Sequence, residues 1–124
     1  MILPLDRLAT YPGVLAWYLL GSAATDQLRP ESDIDLALLP LPGVDFDHSE
    51  LIRWGGELSL ILGRVVDIGV LDQRNLVYAK EALLKGRRLY CADEELATRR
   101  TSDLLALYLH FQEDRKEVLG AYRA

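Results

Sequence analysis

The segment GSAATDQLRPESDIDLALLP, residues 21–40, contains a Gly-Ser pair and, ten residues later, two aspartates at the start of an apolar run. Asp33 and Asp35 are separated by one residue, so on a strand their side chains would lie on the same face. Two like charges on one face raise the cost of ionising each other. The pattern therefore predicts a positive ion or group between the two carboxylates.

The composition is that of a folded globular protein. The chain has 124 residues, of which 50% are hydrophobic and 27% charged, and we interpret residues 1–124 as one domain. No apolar run approaches the roughly 20 residues that span a bilayer, and the N-terminus lacks the order of a signal peptide. Cys91 is the only cysteine, which excludes an internal disulfide and indicates a reducing, cytoplasmic location.

The charge balance argues against a nucleic-acid substrate. Fourteen Lys and Arg residues stand against nineteen Asp and Glu residues, which gives a net charge of −5. Nucleic-acid-binding proteins usually carry a basic stripe that neutralises phosphates. We therefore expect no direct contact with nucleic acid and no membrane association.

The periodicity of apolar residues predicts the elements. Apolar or β-branched runs predict strands at 14–20, 34–39, 64–71 and 87–91. Helical patterns occupy residues 4–11, 74–85 and about 93–122, and another helix would be capped by Ser49 and end at Gly63. This order predicts an α+β fold, a small sheet covered on one face by helices.

A third acid lies within the apolar strand RVVDIGVL. A charge inside such a strand is costly unless it is paired or bound to a metal, and this points to Asp67. Gly69 follows on the same face, as Ala37 follows Asp35, which would leave the floor of a cleft open. We expect Asp33, Asp35 and Asp67 to converge on one face, close enough to share Mg²⁺, which prefers carboxylate oxygens.

The Gly-Ser pair would supply a phosphate site. Gly21 lacks a β-carbon, so the backbone could approach a phosphate closely, and Ser22 would add a hydroxyl and a backbone N–H. Metals and a phosphate cradle together indicate an in-line displacement on phosphorus.

The combined spacing resembles the polymerase-β-like nucleotidyltransferases, whose signature is GS-x10-DxD with a third aspartate on a neighbouring strand. Gly21-Ser22, Asp33-Ile34-Asp35 and Asp67 occupy those places, and RPESDIDLALL is similar to the minimal nucleotidyltransferase (MNT) antitoxins of HEPN-domain RNase toxins. The resemblance implies the family's fold, with a small mixed sheet and a C-terminal helix. It also implies a hetero-oligomer with a cognate HEPN toxin.

The resemblance further implies an activity, the transfer of AMP from ATP to a hydroxyl of the toxin, a tyrosine in that family, with Mg²⁺ and two ions expected. Asp33 and Asp35 would hold the metals, while Asp67 would complete one metal site and help deprotonate the incoming hydroxyl. The nucleotide-binding residues would be Gly21, Ser22, Arg29 and Ser32.

One departure leaves alternatives open. Family members often have Arg-Gly where this chain has Thr25-Asp26. The loss of that arginine weakens the expected binding of phosphates. The alternatives are a nucleotidyltransferase for a small molecule such as an aminoglycoside, and an antitoxin that acts by binding alone. Arg29 could equally order its loop through Glu31 or Ser32.

The last helix has two interpretations. Its apolar stripe could pack on the chain's own sheet, or part of the stripe could dock the toxin. The stripe consists of Leu104, Leu107, Tyr108, Phe111, Val118 and Tyr122.

Overall fold

The computed structural model describes residues 2–21 and 32–123, with side chains described as far as residue 120. Its elements, in chain order, are α1 (Leu5–Leu8), β1 (Val14–Leu20), β2 (Ile34–Pro40), α2 (His48–Leu62), β3 (Val66–Val70), a 3₁₀ turn (Gln73–Asn75), α3 (Leu76–Lys85), β4 (Arg87–Cys91) and α4 (Glu94–Arg123).

The four strands form one mixed sheet in the order β3-β2-β1-β4. β1 runs antiparallel to β2 and to β4, whereas β2 and β3 are parallel and are connected through α2. The C-terminal end of β1 therefore meets the N-terminal ends of β2 and β3. The α+β fold, the mixed sheet and the C-terminal helix agree with the sequence-based expectation.

The expectation that helices cover one face of the sheet is wrong, because apolar cores lie on both faces. One core joins the sheet to α1 and α2, with Trp17, Trp54 and Leu58 among its buried residues. The other joins it to α3 and α4 through Ala82 and Leu104. The central strands are buried on both faces, which explains why their sequences VLAWYLL and IDLALLP are almost continuously apolar.

Helix α2 fixes the start of β3. The helix is capped by Asp47 and not by Ser49: the Asp47 side chain accepts a hydrogen bond from the Ser49 backbone N–H. Near its C-terminal end, the Ser59 hydroxyl donates to the Gly55 carbonyl (2.7 Å) and accepts from the Val66 backbone N–H (2.9 Å). Val66 directly precedes Asp67, so this contact holds the backbone at the predicted third acid.

Among the described side chains of helix α4, the buried ones lie in its first half. Ala97 and Leu104 are buried against α3 and the sheet, which confirms the packing interpretation for this half. Leu107, Phe111 and Val118 are exposed, and the hypothesis that they dock a partner stays a prediction. None of the helices in the described ranges has the length and apolar character needed to cross a membrane.

Candidate active site

The site is built on the pairing of β2 with β3. In the register of these parallel strands, Asp35 lies directly beside Asp67, Ile34 beside Val66 and Ala37 beside Gly69. Neighbouring strands are about 4.8 Å apart, so the two aspartates extend from adjacent backbones on the same face. The hydrogen bond from Ile34 N–H to the Val65 carbonyl (2.8 Å) extends this register to the residues just before the acids.

Asp33 completes an acidic group. It lies one residue before β2 and is exposed, and its charge acts on Asp35. Partial burial, followed by the charges of Asp67 and Asp33, raises the pKa of Asp35 above its ordinary value. The register thus confirms that Asp35 and Asp67 lie together, and Asp33 is close enough for its charge to act on Asp35. That the three carboxylates share one metal stays a prediction, which their mutual repulsion favours.

The reason given for Asp67 needs a correction. A charge within a buried strand was expected, but β3 is an edge strand and Asp67 is exposed. An exposed carboxylate on an edge strand carries little desolvation cost. Asp67 belongs to the site because of its register with Asp35, and its side chain is accessible to solvent.

Gly21 lies at the carboxylate of Asp35. It follows β1, whose last residue Leu20 pairs with Asp35, and its φ of 66° is in the left-handed region that favours glycine. A β-carbon on Gly21 would lie 3.5 Å from Oδ2 of Asp35. The glycine of the Gly-Ser pair and the second acid of the Asp-x-Asp motif are thus brought together.

The other predicted nucleotide-binding residues are described only in part. Ser32 is half-buried and directly precedes Asp33. Ser22 and Arg29, together with the Thr25-Asp26 departure, lie outside the described residues. The roles assigned to these residues stay predictions.

The sequence analysis missed Tyr78, which lines the cavity over the acids. This cavity of about 480 Å³ has Asp35, Asp67, Gly69 and Asn75 among its walls. Tyr78 lies against Gly69: a β-carbon on Gly69 would be 2.1 Å from the Tyr78 hydroxyl oxygen. Burial and the charge of Asp35 raise the pKa of Tyr78 to about 12. Glycine within a strand was the available signal, because it often marks a close approach.

The donor set suits Mg²⁺. Hard carboxylate oxygens are its preferred protein ligands, and it is commonly held by one or two carboxylates together with waters and substrate phosphates. Asp35 and Asp67 offer such a pair, with Asp33 near Asp35. Within the described ranges, no three histidine, cysteine or acidic side chains form a group that could hold a metal ion by itself.

Comparison with protein families identifies the pattern independently. Residues 5–95 match the family model described as polymerase beta, nucleotidyltransferase. This range contains the predicted site residues and all four strands. Curated protein sequences give no match.

Solved structures share the fold over nearly the whole chain. A chain from a toxin–antitoxin crystal structure with AMP-PNP is 20% identical, with a TM-score of 0.78 over 98% of this chain and 100% of that one. A chain from a tri-AMPylated Shewanella oneidensis HEPN toxin in complex with MNT antitoxin is 19% identical, with a TM-score of 0.72 over 97% and 96%. A chain of the toxin–antitoxin MntA-HepT is 22% identical, with a TM-score of 0.70 over 97% and 92%.

Proposed function

The chain belongs to the polymerase beta nucleotidyltransferase family, and on this premise we propose that it is an antitoxin that transfers AMP from ATP to a hydroxyl of a cognate HEPN toxin. The observation that carries the proposal is the pairing of Asp35 with Asp67 across β2 and β3, with Gly21 against the Asp35 carboxylate. An acidic pair beside a glycine turn suits the binding of a metal–triphosphate complex.

A protein acceptor is supported by the size of the fold and the openness of the site. The matched chains of the toxin–antitoxin structures are covered over 92% or more of their own length, so the shared fold accounts for nearly all of those chains. Asp67 is exposed on an edge strand, where a protruding side chain of another protein could reach it. The AMPylated toxin in one of those structures motivates the choice of AMP, whereas a tyrosine hydroxyl as the acceptor rests on the family resemblance alone.

The reaction would be a single displacement on phosphorus. The acceptor oxygen forms a bond to the α-phosphorus of ATP, the bond from that phosphorus to the bridging oxygen breaks, and pyrophosphate leaves with the electron pair. The proton of the hydroxyl passes to the exposed Asp67 carboxylate. Gly21 would let the backbone approach the phosphates closely, and Ser22, Arg29 and Ser32 would add contacts to the nucleotide.

Mg²⁺ would be held by Asp33, Asp35 and Asp67, and it would supply charge compensation for the phosphates and for the attacking and leaving oxygens. Two ions are expected. Asp35 would contribute to this group because it pairs with Asp67 in the sheet and lies near Asp33. The cytoplasmic location and the hetero-oligomer with the toxin belong to the same proposal.

Protection of cells from the toxin separates catalysis from simple binding. If catalysis is the function, Asp33→Asn/Asp35→Asn loses protection while the protein still accumulates, because the metal ligands are removed. Equal protection by this variant would favour an antitoxin that acts by binding alone. A small-molecule transferase would instead release pyrophosphate with an aminoglycoside-like acceptor in the absence of any toxin.

A further inference from the structure

Tyr78 occupies a position that its role in packing does not fully explain. It lies at the start of α3, where the Asn75 side chain accepts a hydrogen bond from the Tyr78 backbone N–H (3.4 Å). Its ring is partly buried against the core shared by α3 and α4. Its hydroxyl reaches the sheet at Gly69, two residues beyond Asp67 on the same face.

The Tyr78 hydroxyl is available to donate a hydrogen bond. Within the part of the chain that the structure describes, it donates no hydrogen bond, although it lies in the wall of the acidic cavity. A phenol is protonated at neutral pH and can donate one hydrogen bond. Among the described side chains lining this cavity, Tyr78 and Asn75 carry the N–H or O–H groups.

The neighbours of this donor indicate what it would contact. Asp35 and Asp67 are negative and repel phosphate oxygens directly, so a bound polyphosphate needs donors beside its metal. Leucine, isoleucine and valine form much of the remaining wall and offer no such contact. Gly69 keeps open the space into which the hydroxyl projects.

We propose that Tyr78 contacts the substrate directly and donates its phenolic hydrogen to a phosphate oxygen of the bound metal–nucleotide complex. This inference rests on the proposed function, which supplies the nucleotide. It assigns to α3 a contact that lies outside the Gly-Ser and Asp-x-Asp motifs.

The test is calorimetric titration of the full chain with MgATP and, separately, with magnesium tripolyphosphate, which has no nucleoside. Tyr78→Phe keeps the ring and removes the donor, and hydrogen bonds to charged groups correspond to about a tenfold or larger change in affinity. We expect Tyr78→Phe to lower the affinity for MgATP and for magnesium tripolyphosphate by the same factor. Tyr90→Phe, the same change on β4 in the core of the opposite face, is the control and should leave both affinities unchanged.

Each result has a distinct meaning. Unchanged affinities in Tyr78→Phe would overturn the contact, as would a loss confined to MgATP, which would point to the nucleoside. If the wild-type protein binds neither ligand, both the contact and the proposed function fail. If the wild type transfers AMP to the toxin while Tyr78→Phe binds MgATP normally, only the contact fails. Thermal unfolding of the variants verifies that they are folded.

Discussion

Asp35 and Asp67 lie side by side on the parallel strands β2 and β3, although 31 residues of chain, including the whole of α2, separate them. Both carboxylates face the cavity that Tyr78 overhangs, and Gly21 borders the Asp35 carboxylate. A cluster of like charges destabilises the free protein and is relieved when a cation binds. The cost of this cluster to the stability of the free protein, and its relief by a cation, can be measured directly.

Asp35→Asn should stabilise the metal-free protein at neutral pH. The substitution removes one charge from the acidic group, and because the group is exposed we expect a gain below about 1 kcal/mol in the free energy of unfolding. The wild type should gain about 1.4 kcal/mol at a Mg²⁺ concentration ten times its Kd, and Asp35→Asn should gain much less. Thermal unfolding with Mg²⁺ and with a chelator measures both effects. Asp114→Asn, an exposed acid on α4, serves as the control; equal Mg²⁺ responses in all three proteins would contradict the assignment.

The pH dependence of the free energy of unfolding should also reveal the contribution of Asp35. The pKa of Asp35 is raised in the folded protein, so the folded state binds more protons than the unfolded state between the ordinary and the raised pKa. Stability from this group is therefore gained as the pH falls through the raised pKa and lost as the pH rises through that window. The advantage of Asp35→Asn over the wild type in chelator should shrink on acidification. Urea unfolding at a series of pH values measures the difference, and an advantage that grows on acidification would be inconsistent with a raised pKa.

Gly69→Ala should destabilise the fold at the floor of the site. The new β-carbon would lie 2.1 Å from the Tyr78 hydroxyl and 2.6 Å from its Cζ, so the ring must move. We expect a loss of about 1–3 kcal/mol in the free energy of unfolding. Gly56→Ala is the matched control, because its β-carbon meets nothing within 4 Å in helix α2, and it should be neutral or stabilising by up to about 1 kcal/mol.

A double-mutant cycle identifies the cause. Tyr78→Ala removes the atoms that clash, so Gly69→Ala should cost clearly less in the Tyr78→Ala background than in the wild type. Equal costs in the two backgrounds, measured by urea unfolding, would show that the glycine is required for another reason.

The exposed apolar residues of α4 should be dispensable for folding. Replacing the exposed Leu107, Phe111 or Val118 by serine should change the free energy of unfolding by no more than about 0.5 kcal/mol each. Leu104→Ala, at a buried position of the same helix, should cost about 2–5 kcal/mol. If the exposed stripe docks the toxin, the serine variants should also lose complex formation in size-exclusion chromatography. If all three serine variants bind the toxin as well as the wild type does, the toxin docks on another surface.

The elements could be predicted from the sequence because their patterns are local. The predicted bounds of β1 and β4 match those observed, and Gly63 ends α2 with a φ of 68° as a helix-terminating glycine commonly does. The acids of the site could be proposed from their parity and small neighbours. Their relation could not, because the register of β2 against β3 depends on α2 and its Ser59 contact, which lie between the two strands in sequence.

Two features were missed, although the sequence contained a partial signal for each. Whether helices cover one or both faces of a sheet is decided by which apolar stripes pair with which face, although the continuous apolar runs of β1 and β2 already favoured both. Tyr78 carries no motif, and only the close approach over Gly69 assigns it to the site. Asp67 does lie beside Asp35, as predicted. The reason for that prediction, a charge within a buried strand, was mistaken, because β3 is an edge strand.

The most direct test of the central claim is the intact mass of the cognate HEPN toxin after incubation with this protein, ATP and Mg²⁺. We expect the toxin to gain the mass of one or more AMP groups and to stay inactive after the antitoxin is removed, which binding alone cannot produce. Asp67→Asn should remain folded and bind nucleotide yet lose transfer by about two to four powers of ten, the usual contribution of a proton acceptor. Asp114→Asn should transfer normally. An unchanged toxin mass with the wild-type protein, under conditions in which that protein protects cells, would contradict the account.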